Sequence, residues 1–252
     1  MPKVLGDIKI LFSGRWLPYN VSVQEKKSSR KIDETLEICC QKSWNAMFSK
    51  AKRTGKRLWD SYIYRFESVN SDKDHLNLIV STIPFSIRLG MNANTNKIKE
   101  LGDEYASKGI FSSCIIQTSD NQYVFIEKSN KYFTQKRRAF VGGVLSKSEK
   151  VLKNGQDLFD EVKKEIKEEI GITIYNNKTI WLRTGYLTEN FNVCLLFEAL
   201  VPQSFMEIKK TFAKYSEGEA KNIVGISRDT LPSAISLFES KDIVKLKILK
   251  LL

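Results

Sequence analysis

The 252-residue chain contains a single histidine, His75. That inventory alone excludes catalysis by a histidine pair and any histidine-rich metal site. Cysteine is almost as scarce: Cys39, Cys40, Cys114 and Cys194 fit neither a metal-ligand spacing nor a disulfide framework. The adjacent Cys39 and Cys40 read as core thiols on a helix. No apolar run approaches the roughly 20 residues that a membrane-spanning helix needs. Met1–Asp7 lacks an apolar core followed by a small-residue cleavage site. A cytosolic or nucleoplasmic protein without a membrane partner is expected. Internal repeats, low-complexity tracts and long linkers are also missing. What is present, 42% hydrophobic and 11% aromatic residues, reads as a globular chain with a substantial core in one large domain or two small ones.

Charge of one sign dominates: Lys+Arg number 41 against 29 Asp+Glu, a formal net charge of +12. Clusters at Lys26-Lys27, Arg30-Lys31, Lys52-Arg53, Lys56-Arg57 and Lys136-Arg137-Arg138 would attract any polyanion, including nucleic acid or a nucleotide. Lysines nevertheless recur in nearly every segment, down to Lys241, Lys245, Lys247 and Lys250. Solvated lysine-rich faces explain most of the excess, so nucleic acid is a possible partner and not the favoured one.

Periodicity lays out the elements. Residues 4–12 read as a strand ending in a turn at Ser13-Gly14, and Leu17–Val23 as its return, interrupted by Pro18. Residues 31–53 carry apolar groups at helical spacing, stopping before Gly55. Strands are expected over Ser61–Val69 and Leu76–Leu89, with Pro84 marking a break or edge, and a helix over 96–107. From Ile110 the pattern changes to a hairpin, Phe111–Thr118 and Gln122–Glu127. It runs through Lys128 into a basic loop and then the glycine turn of Phe140-Val141-Gly142-Gly143. An amphipathic helix over 157–170 closes at Gly171, a good C-cap. Strands Thr179–Glu189 and Asn192–Val201, a helix near 204–215, a short strand at Ile223–Ile226 and a helix from about 230 complete the chain.

The chemistry concentrates on the 157–170 helix. Glu165, Glu168 and Glu169 are related as i, i+3 and i+4 and project from one face, with Glu161 a turn earlier in the same arc. Leu158, Phe159, Val162, Ile166 and Ile170 fill the adjoining face. Each like-charge i,i+4 pair costs roughly 0.2–0.5 kcal/mol in an isolated helix. A hard divalent cation removes that penalty, and carboxylate oxygen is the ligand magnesium prefers. A solvated Lys/Glu face is the competing explanation from the helix alone.

The flanking residues shift the balance toward the metal site. Lys164-Glu165-Ile166-Lys167-Glu168-Glu169-Ile170-Gly171-Ile172 resembles the second half of the Nudix box, with lysine in place of its arginine. Gly143, five residues and Glu149 resemble the first half, separated from Lys164 by fourteen residues where the family has seven. Val141 stands where a proline commonly precedes the glycine pair. The resemblance implies an α+β fold: a Nudix α/β/α sandwich with a mixed sheet over 110–252, preceded by an α+β extension over 1–109. It implies a magnesium-dependent hydrolase, with manganese able to substitute. The substrate class would be a small-molecule nucleotide, a nucleoside diphosphate linked to another group. Glu165, Glu168 and Glu169 would hold the metal. Glu169, Lys164 and a later-loop glutamate, Glu219 ahead of Glu217 and Glu189, would be catalytic.

The order and spacing of the helix around Trp44, Leu58-Trp59-Asp60, Arg65-Phe66 and Arg88-Leu89-Gly90 is further similar to the Nudix UDP-sugar diphosphatases. Those enzymes cleave UDP-glucose and UDP-galactose to UMP and a sugar 1-phosphate. Removal of an RNA cap or 5′-end nucleotide, or a catalytically silent binding module, are the alternatives. Gly142, Gly143, Arg88, Lys128 and Arg138 are the candidate substrate contacts. Arg88 reads equally as the buried partner of an acid, and Arg137 and Arg138 as an exposed basic loop. Tyr132, Phe133 and Trp181 are candidates to stack on a base, and His75 reads as structural.

Overall fold

The computed structural model describes residues 4–5, 8–128, 138–215 and 220–251. The first half comprises β1 (Val4–Leu5), β2 (Ile8–Trp16), β3 (Val21–Glu25), α1 (Glu34–Arg53), β4 (Tyr62–Ser71), β5 (Leu76–Pro84), α2 (Phe85–Ala93) and α3 (Thr95–Leu101). The second comprises β6 (Ile110–Gln117), β7 (Gln122–Lys128), β8 (Arg138–Ala139), α4 (Gly155–Ile170), β9 (Ile180–Leu187), β10 (Val193–Leu200), α5 (Phe205–Tyr215), β11 (Ala220–Ser227) and α6 (Ser240–Ile248).

The large sheet has the order β1-β2-β9-β10-β6-β7-β11, with β8 paired to β7. β10 and β6 run parallel and the other pairs antiparallel, so the sheet is mixed. Its central strands alternate between two cores, as a strand buried on both faces must. Cys114, Ile116, Val124, Ile126, Leu195 and Phe197 face α4, whose Leu158, Phe159, Val162, Ile166 and Ile170 complete that core. Ile115, Tyr123, Phe125 and Leu196 face the other way, onto Phe140, Phe238 and Leu246 of α6. A mixed sheet between helical layers is the α/β/α sandwich expected of the chain.

The first core also takes in Tyr64, Leu76, Leu78 and Val80 from a smaller sheet of order β3-β5-β4. A third cluster, Leu36, Cys40, Met91, Ile98 and Ala106, joins α1 to α2 and α3. β1 and β2, on the N-terminal side of the expected boundary at 109/110, form the edge of the large sheet through β9. No described helix is long and apolar enough to cross a membrane.

Five expected elements are corrected. The helix expected over 96–107 stops at Leu101 before a 3-10 turn at Asp103–Tyr105, and the one expected from about 230 is a 3-10 turn over Pro232–Leu237 followed by α6. The turn at Ser13-Gly14 is strand, because β9 pairs with β2 as far as Trp16 through a register shift after Ser13. The return strand from Leu17 is a short 3-10 turn over Pro18–Asn20, and only then β3. The strand over 76–89 stops at Pro84, and Phe85–Leu89 are helical. Pro84 sits at the N-cap with φ −60° and ψ 141°, and Asp60 Oδ1 accepts the Ser86 N–H at 2.8 Å. That bond satisfies one of the open donors of the first turn of α2 from a segment 26 residues away.

Candidate active site

The segment 141–146 lies alongside β6 and carries the glycine turn to the acidic helix. Cys114 N–H donates to Val141 O at 2.7 Å and Ser112 N–H to Gly143 O at 2.8 Å. Tyr64 N–H donates to Leu145 O at 2.9 Å, tying the same segment to β4. Gly142 adopts φ +148°, a region that disfavours side chains, and a Cβ there would meet Ser112 O at 2.2 Å. A Cβ at Gly143 would fall 2.3 Å from Glu165 Oε1. The bare Cα at Gly143 lets the acid face of α4 come up against the turn, and the one at Gly142 lets the turn lie close against β6.

α4 is set by its ends. Asn154 caps its start by accepting the Asp157 N–H, and Gly171 closes it at φ 78°. Glu169 is 2% exposed, and its Oε2 accepts the Gly142 N–H at 2.8 Å. Lys164 Nζ lies 2.6 Å from Glu149 and 3.9 Å from Glu168. The hydrogen bond to Glu149 holds the Lys164 ammonium above its ordinary range. Glu161 is 7% exposed, and burial pushes its carboxyl up. It lies outside the cavity that the other glutamates line.

The long connection between the two halves of the box is packed. Tyr64 Oη accepts the Leu152 N–H at 2.8 Å, Leu152 is buried, and Lys150 pairs with Asp157 and Asp160 at 3.4 Å. By absorbing the extra residues this way, the chain returns Glu149 to Lys164 across fourteen intervening positions.

Two cavities meet at the glycine turn, since Gly142, Gly143 and Val144 line both. One, of about 520 Å³, is lined by Glu149, Glu165, Glu168 and Glu169 together with Arg57, Trp59 and Phe85. The other, of about 500 Å³, holds Arg88, Arg138, Asn192 and Glu189, with Asp242 and Lys245 of α6 on a further wall. Arg88 Nε donates to Asn192 Oδ1 at 3.1 Å, and burial pulls its guanidinium down to about 10. No described carboxylate lies within ion-pair distance of it. Asn192 is itself fixed by Asn92 Oδ1 at 2.8 Å and by the Thr188 hydroxyl at 3.1 Å. Lys245 and Asp242 pair at 2.8 Å and are both buried.

The structure therefore brings Glu165, Glu168, Glu169, Lys164, Gly142 and Gly143 together, and places Arg88 and Arg138 across the turn. Glu189 lines the Arg88 cavity, away from the acidic helix. Trp181 lines neither cavity and stacks under Arg15, 3.8 Å from the ring centroid. Glu217, Glu219, Tyr132, Phe133 and Arg137 lie outside the described residues, as does the side chain of Lys128. Sequence reasoning did not single out Arg57 or Trp59 as cavity walls, nor Asn192 as the anchor of Arg88. A tryptophan two residues after an arginine in a loop just past a helix stop was the available signal for the first two.

All four glutamates offer oxygen donors only, the chemistry of a magnesium-type cation, and the glycine turn leaves space beside Glu165. Among the described residues, no three acidic, cysteine or histidine side chains are already gathered around a metal-sized space. A bound cation would have to draw them together.

Fold and site define a class of protein: a mixed-sheet α/β/α sandwich with a carboxylate-bearing helix set against a glycine turn. No family model and no curated protein match the sequence. Among solved structures, it is similar to a Nudix hydrolase from Nitrosomonas europaea at 12% identity and TM-score 0.42, over 56% of this chain and 88% of that one. It is similar to the MutT protein from Methanosarcina mazei at 16% identity and TM-score 0.40, over 57% and 91%. A Nudix-family hydrolase from Clostridium perfringens overlaps at 14% identity and TM-score 0.36, over 57% and 97%.

Proposed function

We propose that the chain is a Nudix-type hydrolase that cleaves the phosphoanhydride of a nucleoside diphosphate linked to another group, with a UDP-sugar as the specific substrate. The observation that carries this reading is the convergence of Glu149, Glu165, Glu168 and Glu169 on one cavity beside Gly142-Gly143. Magnesium held by Glu165, Glu168 and Glu169 would neutralise the diphosphate and polarise a water.

The chain's own contribution is positioning. The Gly142 N–H fixes Glu169, and Lys164 holds Glu149 and Glu168 in register as a point charge, without arginine's fork. Water attack forms a new P–O bond and breaks the bridging P–O bond. The proton it sheds passes to a carboxylate, which in this reading is Glu219. Arg88, Arg138 and the backbone of the glycine pair contact the phosphates and the group beyond them. An uncompensated guanidinium facing a cavity suits an anionic or acceptor-rich ligand.

The test is phosphate release, coupled to a phosphatase, from UDP-glucose, ADP-ribose, diadenosine polyphosphates, nucleoside triphosphates and capped RNA, with and without magnesium. The expected result is magnesium-dependent turnover, highest for UDP-glucose. Glu165→Gln should lower it more than about 100-fold, beyond the effect of an outer-shell change, at native melting temperature. Preference for ADP-ribose would end the UDP-sugar assignment, and undiminished activity in Glu165→Gln would end the site assignment.

A further inference from the structure

Trp59 is 60% exposed, although the other large aromatic beside it in the carboxylate cavity, Phe85, is half-buried. An indole left largely in water carries a hydration cost that folding would normally remove. The chain is nevertheless anchored on either side of it. Lys56 N–H returns to Ala51 O at 2.9 Å as α1 ends. Asp60 Oδ1 takes the Ser86 N–H at 2.8 Å, and Phe85 N–H donates to Ser61 O at 2.8 Å. The residues on both sides of Trp59 are thus tied to the ends of α1 and α2, so the ring is presented and not merely left over.

The cavity divides by chemistry. Leu58, Trp59, Ile63 and Phe85 supply apolar and aromatic surface, Glu149, Glu165, Glu168 and Glu169 the carboxylates, and Arg57 a cation at the same wall as Trp59. A ligand filling it needs a flat apolar face and, a short distance away, a polyanionic group that a metal can bridge to the acids. A nucleoside phosphate has that combination: base–aromatic stacking is tolerant of base identity because every base has a π-face. The second cavity, across Gly142–Val144, is then left for the other group on the diphosphate, beside Arg88.

We propose that Trp59 is the stacking platform for the nucleobase of the substrate, a substrate-binding contact contributed by the segment between α1 and β4. This rests on the hydrolase reading above and deepens it. It assigns the base to the carboxylate side of the glycine turn and the remaining group to the Arg88 side.

The other tryptophans do not confuse a fluorescence test: Trp16 and Trp44 are buried, and Trp181, half-buried against Arg15, lines neither cavity. The full chain is titrated with UMP, AMP and glucose 1-phosphate in magnesium, following tryptophan emission and, in parallel, heat of binding. These are the expected products, so binding is read without turnover. UMP should quench the emission saturably. Trp59→Leu should abolish the quench and weaken UMP binding about five- to hundredfold, the range for removing one stacked base. Trp59→Phe should restore most of the affinity, and the exposed position leaves folding intact in each variant. Glucose 1-phosphate should bind wild type and Trp59→Leu alike.

Equal UMP affinity in wild type and Trp59→Leu overturns the proposal, as does a Trp59 dependence seen with glucose 1-phosphate in place of UMP. Failure of wild type to bind any nucleotide overturns it too. Trp59-dependent UMP binding in a chain that hydrolyses nothing would instead leave this contact standing and defeat the hydrolase reading.

Discussion

Replacing Gly143 with alanine separates site geometry from stability, because the two glycines of the turn are crowded by different kinds of neighbour. The new Cβ at 143 would sit 2.3 Å from Glu165 Oε1 and 2.5 Å from its Cδ, against ordinary contact at 3.4 Å or more. The carboxylate must retreat by about 1.1 Å. It lies at the end of a flexible side chain, so the cost is one displaced rotamer, about 0.5–1.5 kcal/mol. For a domain of this size that lowers the melting temperature by roughly 1–6 °C. A misplacement of about 1 Å in catalytic geometry costs on the order of 100-fold in rate. Gly142→Ala behaves oppositely. Its Cβ would meet the Ser112 carbonyl at 2.2 Å with φ at +148°, and that backbone is held in the sheet. Strain and overpacking together give a stability loss of about 2–5 kcal/mol. Urea melts of both variants, alongside magnesium-dependent kcat/KM of Gly143→Ala, provide the comparison. The reasoning fails if Gly143→Ala is as unstable as Gly142→Ala, or if it is stable and fully active.

Lys164→Met removes the charge that holds Glu149 and Glu168. Because the pair is half-exposed, stability should change by less than about 1 kcal/mol. The magnesium concentration for half-maximal turnover should rise about 10- to 100-fold, and Lys164→Arg should stay near wild type; a Met variant with unchanged magnesium dependence would contradict this role. Glu67 gives the pH prediction. Burial pushes its carboxyl up, but the Arg65 guanidinium and the Ser29 and Ser81 hydroxyls outweigh it and hold the group below the ordinary 4.5. A depressed folded value means stability present above pH 4.5 that is lost as pH falls through the folded value. Glu67→Gln should flatten that acid limb and cost about 3–5 kcal/mol at neutral pH by stranding the buried Arg65 charge; equal acid limbs for the two proteins in chemical denaturation would count against it.

Much of the fold was legible because it is local. α4 could be placed within two residues by the spacing of Leu158, Phe159, Val162, Ile166 and Ile170 and by Gly171. The carboxylate face followed from the same helical geometry. Where reading failed, the deciding partner was remote in sequence. Nothing near Ser13-Gly14 says that β9 will extend β2 through it, and nothing in Phe85–Leu89 says that Asp60 will help start a helix there. Arg88 was undecided between an acid and a ligand until its surroundings were known. Its hydrogen-bond partner is a neutral amide 104 residues away. Trp59 entered the sequence reading only as part of Leu58-Trp59-Asp60, because exposure is a property of the fold and not of the residue.

The pairing of β2 with β9 also sets a schedule. Lys9 meets Leu187 and Trp16 meets Leu182, so the first long strand finds its neighbour only after some 170 further residues have been made. At 5–20 residues per second, that is roughly ten to thirty seconds of synthesis. During that interval Ile8–Trp16 carries Phe12 and Trp16, both destined for the core, with its hydrogen-bonding edge unmatched. Emergence of β9 seats the strand, and β10 must follow before β2 and β9 are joined to β6 and the rest of the sheet.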